Sequence, residues 1–155
     1  MAFLGDFVCT MDDKGRIKMP SALRKQFDAG DGNKFMIAKD LTDNLVIYPM
    51  KTWEKQAAKL QKLDDYDPDH QKFIDVMTAG LAEVEMDSAD RFLVSKSLTR
   101  YLGAGKEILM KGKFDRIQVW DAAKHDQQLQ GSIANMPELA RKAAAHIALN
   151  EEKGK

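Results

Sequence analysis

TMDDKGRIKMP, residues Thr10 to Pro20, and EMDSADRFLVS, residues Glu85 to Ser95, spell one polar turn twice, seventy-five residues apart. Each copy has Met-Asp, then Arg four places after the Asp, then a short apolar run. In the first copy Asp12-Asp13-Lys14-Gly15 is turn chemistry. A short Asp side chain bonds its own backbone, and Gly adopts a positive φ without steric cost. Arg16 to Met19 then alternates polar and apolar residues, so Phe3–Met11 and Arg16–Met19 are expected to form a β-hairpin. The second copy has Asp90 in place of Gly15. Asp tolerates the left-handed region better than most side chains, so the turn is expected to survive there.

The repeat extends outward from these turns. Pro20 is tolerated in a helix's first turn, and Leu23 and Phe27 lie four apart on one face. Asp28 to Gly32 should end that helix. A hairpin of Lys34–Lys39 and Leu45–Tyr48 follows around Thr42-Asp43-Asn44, and Met50–Leu63 reads as a helix with Trp53, Ala57 and Leu60 at helical spacing. In the second half Arg91–Val94 is a strand, and Ser95 is an N-cap for a helix holding Leu98 and Leu102. Gly103 and Gly105 punctuate the chain before a hairpin, Glu107–Lys111 with Ile117–Trp120, and a helix over Ala122–Gln130. The element order repeats, and Tyr48 and Trp120 fall in matching places once three loop residues are removed. Such short strands cannot bury both faces alone, so the two copies are expected to share one sheet or barrel about a pseudo-twofold. Between them Asp64–Asp69 is a polar break, and Asp69–Leu81 a helix with Phe73, Ile74, Met77 and Leu81 facing inward. The tail, Pro137–Lys155, is an Ala-rich helix. The expected organisation is 1–63 as first repeat, 64–82 as linker and helix, 83–130 as second repeat and 131–155 as helical tail, with 1–130 one compact domain.

Composition narrows the function. The chain has 155 residues, 44% of them hydrophobic, enough for a real core. Its 24 basic and 24 acidic residues balance, so attraction to a polyanion must come from local asymmetry. A single cysteine, Cys9, forbids an internal disulfide; with no His or basic cluster beside it, it reads as a small apolar residue in a strand. MAFLGDFVCT is too short and too acidic for a signal peptide, and no apolar run reaches membrane-spanning length, so a cytoplasmic protein is expected.

Catalytic and metal patterns fail one by one. Asp65, Asp67 and Asp69 have the spacing of a calcium loop, but His70 stands where that loop needs Gly, and Val76 where it needs Glu. His70, His125 and His146 share no spacing with one another or with Cys9. Gly30-Asp31-Gly32 carries an acid where a phosphate would lie. Asp12 and Asp13 sit on an exposed turn, where nothing raises a pKa for acid–base work. Neither an enzyme nor a cofactor or metal site is expected.

What remains is the first turn and its helix. From Met11 to Phe27 five bases (Lys14, Arg16, Lys18, Arg24, Lys25) face two acids, whereas from Met86 to Leu102 three bases face two. Alternation places Arg16 and Lys18 opposite Ile17 and Met19. A two-stranded ribbon with that cationic face fits a major groove, where Arg pairs with a guanine edge and Lys neutralises phosphate. The plainer reading is a solvated hairpin with an Asp12–Arg16 ion pair across the turn.

FLGDFVCTMDDKGRIKMPSALR, NLVIYPMKTWEK and the spaced EMDSADR…VSKSLTRYL resemble MraZ, a family of bacterial transcriptional regulators encoded in the division and cell-wall gene cluster. The resemblance spans roughly Met1 to Gln130. It implies an α+β fold of two tandem swapped-hairpin β units like those of the AbrB regulators, sharing a pseudo-twofold, barrel-like core with peripheral helices and a C-terminal helix. It also implies a ring-shaped homo-oligomer, nucleoid-associated, binding direct repeats upstream of its own operon as a sequence-specific DNA-binding regulator. Asp12, Gly15 and Arg16 match the family's D-x-x-G-R turn, and Asp87 and Arg91 match it in the second copy. The DNA-contacting set is therefore Asp12, Lys14, Gly15, Arg16, Lys18 and Arg91, with double-stranded DNA and other copies of the chain as partners. Asp90 and Val94-Ser95 depart from the family's Gly-Arg and Ile-Pro, and a carboxylate beside Arg91 would offset part of its charge. The first turn is thus expected to carry DNA contact and the second mainly structure. The alternative is a ring-forming scaffold for protein partners without direct DNA readout.

Overall fold

The computed structural model describes residues 2–103 and 105–154 of the chain, which divide into two units, Met1–Ala122 and Ala123–Lys155. In the first, the order is β1 (Asp6–Thr10), β2 (Arg16–Lys18), α1 (Ser21–Arg24), a 3-10 turn at Ala29–Asp31, β3 (Lys34–Lys39), β4 (Leu45–Pro49), α2 (Met50–Leu60), α3 (Pro68–Thr78), β5 (Ala82–Glu85), β6 (Arg91–Leu93), α4 (Lys96–Leu102), β7 (Glu107–Lys113) and β8 (Arg116–Asp121). Helix α5 (Ala122–Ala134) begins at the boundary, and α6 (Met136–Lys153) completes the second unit. Lys155, the expected end of the tail helix, lies outside the described residues.

Local chemistry sets most boundaries. Ser95 caps α4 by accepting the Leu98 N–H on its hydroxyl oxygen, and Gly103 ends that helix at φ +61°. Asp67 caps α3 by accepting the backbone N–H groups of Asp69 and His70, with Pro68 at the first helical position. That cap is what the alternating aspartates supply. The inward-facing helix expected over Asp69–Leu81 is shorter. It ends at Thr78, the chain turns at Gly80 (φ +81°) to enter β5, and Phe73 is 41% exposed rather than buried.

The expected hairpin of Phe3–Met11 with Arg16–Met19 does not form. β1 pairs antiparallel with β7, Asp6 opposite Lys111 through Thr10 opposite Glu107. β2 pairs antiparallel with β6 in a separate two-stranded ribbon. In the same way β5 joins β3, with Lys34 opposite Glu85. Each half therefore gives its first strand to the hairpin of the other half. The six-stranded sheet runs β1-β7-β8-β4-β3-β5, an order that reads the same when the halves are exchanged. Register obeys the same exchange: Ile17 faces Phe92 at the centre of the ribbon, and Val46 faces Gln118 where β4 meets β8. Local turn signals cannot distinguish the two pairings, because the short arms have the same alternation whichever hairpin they join.

The core lies between ribbon, sheet and short helices. Met11, Ile17, Met19, Leu23 and Phe27 from the first half are buried, as are their counterparts Met86, Phe92, Val94, Leu98 and Leu102 seventy-five residues on. Phe35 meets Phe92 edge to face at a centroid distance of 5.1 Å, a geometry that adds to the area both rings bury.

Candidate nucleic-acid interface

Pairing β2 with β6 brings the two polar turns to opposite ends of one ribbon. Opposite pairs are Arg16 with Leu93, Ile17 with Phe92 and Lys18 with Arg91. Ile17 and Phe92 point into the core at 1% and 2% exposure, so the flanking pairs stand on the outer face. Of the six residues expected to touch DNA, Arg16, Lys18 and Arg91 share that face, and Asp12, Lys14 and Gly15 form the turn at one of its ends. The sequence placed Arg16 with Lys18; that Arg91 would join them from the other half followed only from the strand exchange.

The two turns have one hydrogen-bond plan. Asp12 Oδ1 accepts from the backbone N–H groups of Lys14 (2.9 Å) and Arg16 (2.8 Å), while the Gly15 N–H donates to the Asp12 carbonyl (3.0 Å). Asp87 Oδ1 likewise accepts from Ala89 and Arg91, each at 2.9 Å, and the Asp90 N–H donates to the Asp87 carbonyl (3.0 Å). These bonds hold both carboxyls below the ordinary aspartate range. The largest cause at Asp12 is the Arg16 backbone N–H, and at Asp87 the Arg91 backbone N–H. The first turn also contains the expected ion pair: Arg16 Nε lies 2.7 Å from Asp12 Oδ2, with 42% and 40% of the two side chains exposed. A half-exposed pair of this kind is weak, because solvent screens it, so Arg16 can exchange its carboxylate for another acceptor.

The difference between Gly15 and Asp90 has its reasons within the fold. Gly15 has φ +85° and Asp90 φ +61°, so both turns need a left-handed residue and both obtain one. A Cβ on Gly15 would lie 2.9 Å from the Val94 carbonyl oxygen, which leaves no room for a side chain there. The backbone is that close because the Val94 N–H donates to Gly15 O at 2.9 Å, mirrored by the Met19 N–H donating to Asp90 O at 2.8 Å. Asp90 has a partner besides its neighbour Arg91. Its Oδ1 lies 3.3 Å from Nε of Arg24, which comes from the short helix of the first half. The position facing Gly15 from the other short helix is Thr99, whose Oγ1 is 3.9 Å from where a Cβ would stand. Arg24 with Asp90 and Thr99 with Gly15 are thus matched sets. Sequence reasoning missed the first because its partners are sixty-six residues apart; the opposite charges were the one available signal.

Burial pushes the half-buried Cys9 thiol up, away from the reactive thiolate. Among the described residues no three His, Cys, Asp or Glu side chains are grouped to hold a metal ion, and no helix is long and apolar enough to cross a membrane.

Among known families, the one described as "MraZ protein, putative antitoxin-like" matches residues 2–75 and 77–146. The match runs past Gln130, where the resemblance was expected to stop, and takes in α5 and much of α6. Among similar proteins, a "Transcriptional regulator MraZ" of Christiangramia forsetii is 33% identical over 138 residues, covering 88% of this chain and 89% of the relative. Its namesake from Acetivibrio thermocellus is 33% identical over 142 residues, covering 92% and 96%. A third, from Flavobacterium psychrophilum, is 28% identical over 145 residues, covering 93% and 92%.

Proposed function

The chain belongs to the MraZ family, and from that premise we propose that it is a transcriptional regulator that reads duplex DNA with the β2–β6 ribbon. The single observation that carries this reading is the outer face of the ribbon, which gathers Arg16, Lys18 and Arg91 over a buried floor of Ile17 and Phe92. A two-stranded ribbon fits the width of a major groove, and a guanidinium there can pair with guanine O6 and N7. Arg16 takes the base-reading role, next to the turn with the glycine, and Lys18, Arg91 and Lys14 neutralise phosphates. Asp12 holds the turn in shape rather than touching DNA. The paired crossing of strands supports an AbrB-like swapped-hairpin unit.

The operator in this reading is a set of direct repeats upstream of the protein's own division and cell-wall operon, bound by a ring of identical subunits at the nucleoid. Exposed apolar residues favour self-association. On α5, Leu129 and Ile133 stand one turn apart at 41% and 60% exposure, and on α6 Leu139 and Ile147 stand two turns apart at 40% and 57%.

The test is a gel-shift titration with DNA from just upstream of this gene, comparing Arg16→Ala with Arg91→Ala. Loss of a bidentate base contact should cost roughly 1–3 kcal/mol at Arg16, and loss of a phosphate contact should cost less at Arg91. Equal losses would remove the division of labour. Binding that ignores both variants and added salt would instead favour the protein-scaffold alternative.

A further inference from the structure

We infer that α4, from the second half of the chain, supplies a phosphate-binding flank to the turn of the first half, with Lys96 and Arg100 as its contacts. This rests on reading the ribbon as a duplex binder and extends its footprint beyond the ribbon and both turns. The crossed strands put α4, not α1, beside the first turn: the Gly15 carbonyl accepts from Val94, and Thr99 faces Gly15. An open groove at that end is lined by Asp13, Lys14 and Gly15 on one side and by Lys96, Thr99 and Arg100 on the other. Lys96 and Arg100 are exposed and four apart, so both project from one face of the helix. Among the described residues neither they nor Lys14 makes an ion pair closer than 4.0 Å, so three cations meet one acid, Asp13, across the groove.

The opposite end of the ribbon is an internal control. Seventy-five residues separate equivalent positions, so Ala89, Ser21 and Lys25 stand there for Lys14, Lys96 and Arg100. Only one of the three is basic. The nearby Arg24 is engaged by Asp90 at 3.3 Å. A fold that is symmetric in its backbone pairing thus carries more basic side chains on the turn and helix that flank its first end, while Lys18 and Arg91 lie toward the other end of the ribbon itself. Summing charge along the sequence conceals this, because it credits each turn with its own helix, whereas the fold gives each turn the helix of the other half.

Each phosphate neutralised contributes about 0.9 to the slope of log K against log salt concentration. The experiment measures that slope by fluorescence anisotropy on the full-length protein and a labelled duplex from upstream of its gene. Arms are wild type, Lys96→Ala with Arg100→Ala, Lys96→Arg with Arg100→Lys, Lys25→Ala and Arg16→Ala. The double alanine variant is expected to lower the slope by roughly 2, the charge-keeping exchange to restore it, and Lys25→Ala to leave it unchanged. An unchanged slope in the double alanine variant, while Arg16→Ala still weakens binding, overturns the α4 flank alone. An equal fall with Lys25→Ala overturns it too, by making the effect one of general surface charge. Wild-type protein with no salt-dependent affinity for the duplex overturns the duplex-binding reading and the flank together. Both altered side chains are exposed, and an unchanged melting temperature in each arm keeps folding out of the comparison.

Discussion

At Gly15 two demands coincide: φ is +85°, and the Val94 carbonyl stands 2.9 Å from where a Cβ would be. Asp90 meets the first demand at φ +61°, and Arg24 sits at hydrogen-bond range of its carboxylate. Substitution should therefore be asymmetric. Gly15→Ala is expected to destabilise the fold by about 1–2 kcal/mol for the left-handed conformation, with a further cost as Val94 is pushed aside. Asp90→Gly removes the left-handed strain and loses a half-exposed ion pair worth ~0–1 kcal/mol, so its net effect should be small. Urea unfolding of both variants checks this, and a Gly15→Ala protein as stable as wild type would contradict it. The Asp-for-Gly exchange was legible in the sequence, since Asp is among the side chains that enter this region. The partner that accompanies it was not, because nothing in periodicity or spacing ties Arg24 to a residue sixty-six positions away.

At the scale of elements, each ribbon strand enters through a turn held by a carboxylate, Asp12 or Asp87, accepting two backbone N–H groups. The bonds need the acceptor most when it is charged, which is why both carboxyls ionise below the ordinary range. A group whose folded pKa is depressed contributes stability that is present above its unfolded value, ~3.9 for Asp, and is lost as pH falls through the folded value. Acidification should thus loosen both turns below about pH 4, where unfolded aspartate begins to bind protons in preference. Asp12→Asn with Asp87→Asn keeps an oxygen acceptor and removes the titration. The prediction is that this variant is less stable than wild type at pH 7 and that the gap narrows toward pH 2–3, measured as melting temperature across that range. A gap independent of pH would mean that charge does not hold the turns. The turns, the two hairpins of the sheet and most helices were readable because local chemistry specifies them. The destination of β1 and β5 was not: an arm of five residues or fewer carries the same alternation for either hairpin. Phe73 shows a related limit, since helical spacing identifies a face but not whether anything covers it.

For the whole molecule the balance of 24 bases and 24 acids means that its overall field would give little help in finding the proposed duplex. What it has is a backbone paired symmetrically about Ile17–Phe92 and Val46–Gln118, with Lys14, Lys96 and Arg100 flanking the Gly15 end of the ribbon and Lys18 with Arg91 toward the other. Had both ends carried the same side chains, one subunit would read an inverted repeat. In the proposed reading the two ends differ, with Arg16 and the α4 flank at one and Lys18 with Arg91 at the other, so each subunit would have a direction on its box, and subunits assembled as the proposed ring would read boxes in the same direction. A ribbon with one good base contact and a few phosphates is a weak binder alone. Joining several on one rigid assembly makes every contact after the first intramolecular, which can raise avidity by ~10²–10⁴ without any new interaction. Reducing the operator from several boxes to one should therefore lower affinity by a factor in that range, while inverting alternate boxes at constant number should be nearly as damaging, because the Arg16 ends would no longer face their grooves. Anisotropy titrations on duplexes of equal length, carrying the boxes intact, reduced to one, or alternately inverted, separate these effects. Equal affinity for the intact and single-box duplexes would show that the subunits bind independently, and equal affinity for the intact and inverted ones would show that the charge asymmetry of the ribbon does not set direction.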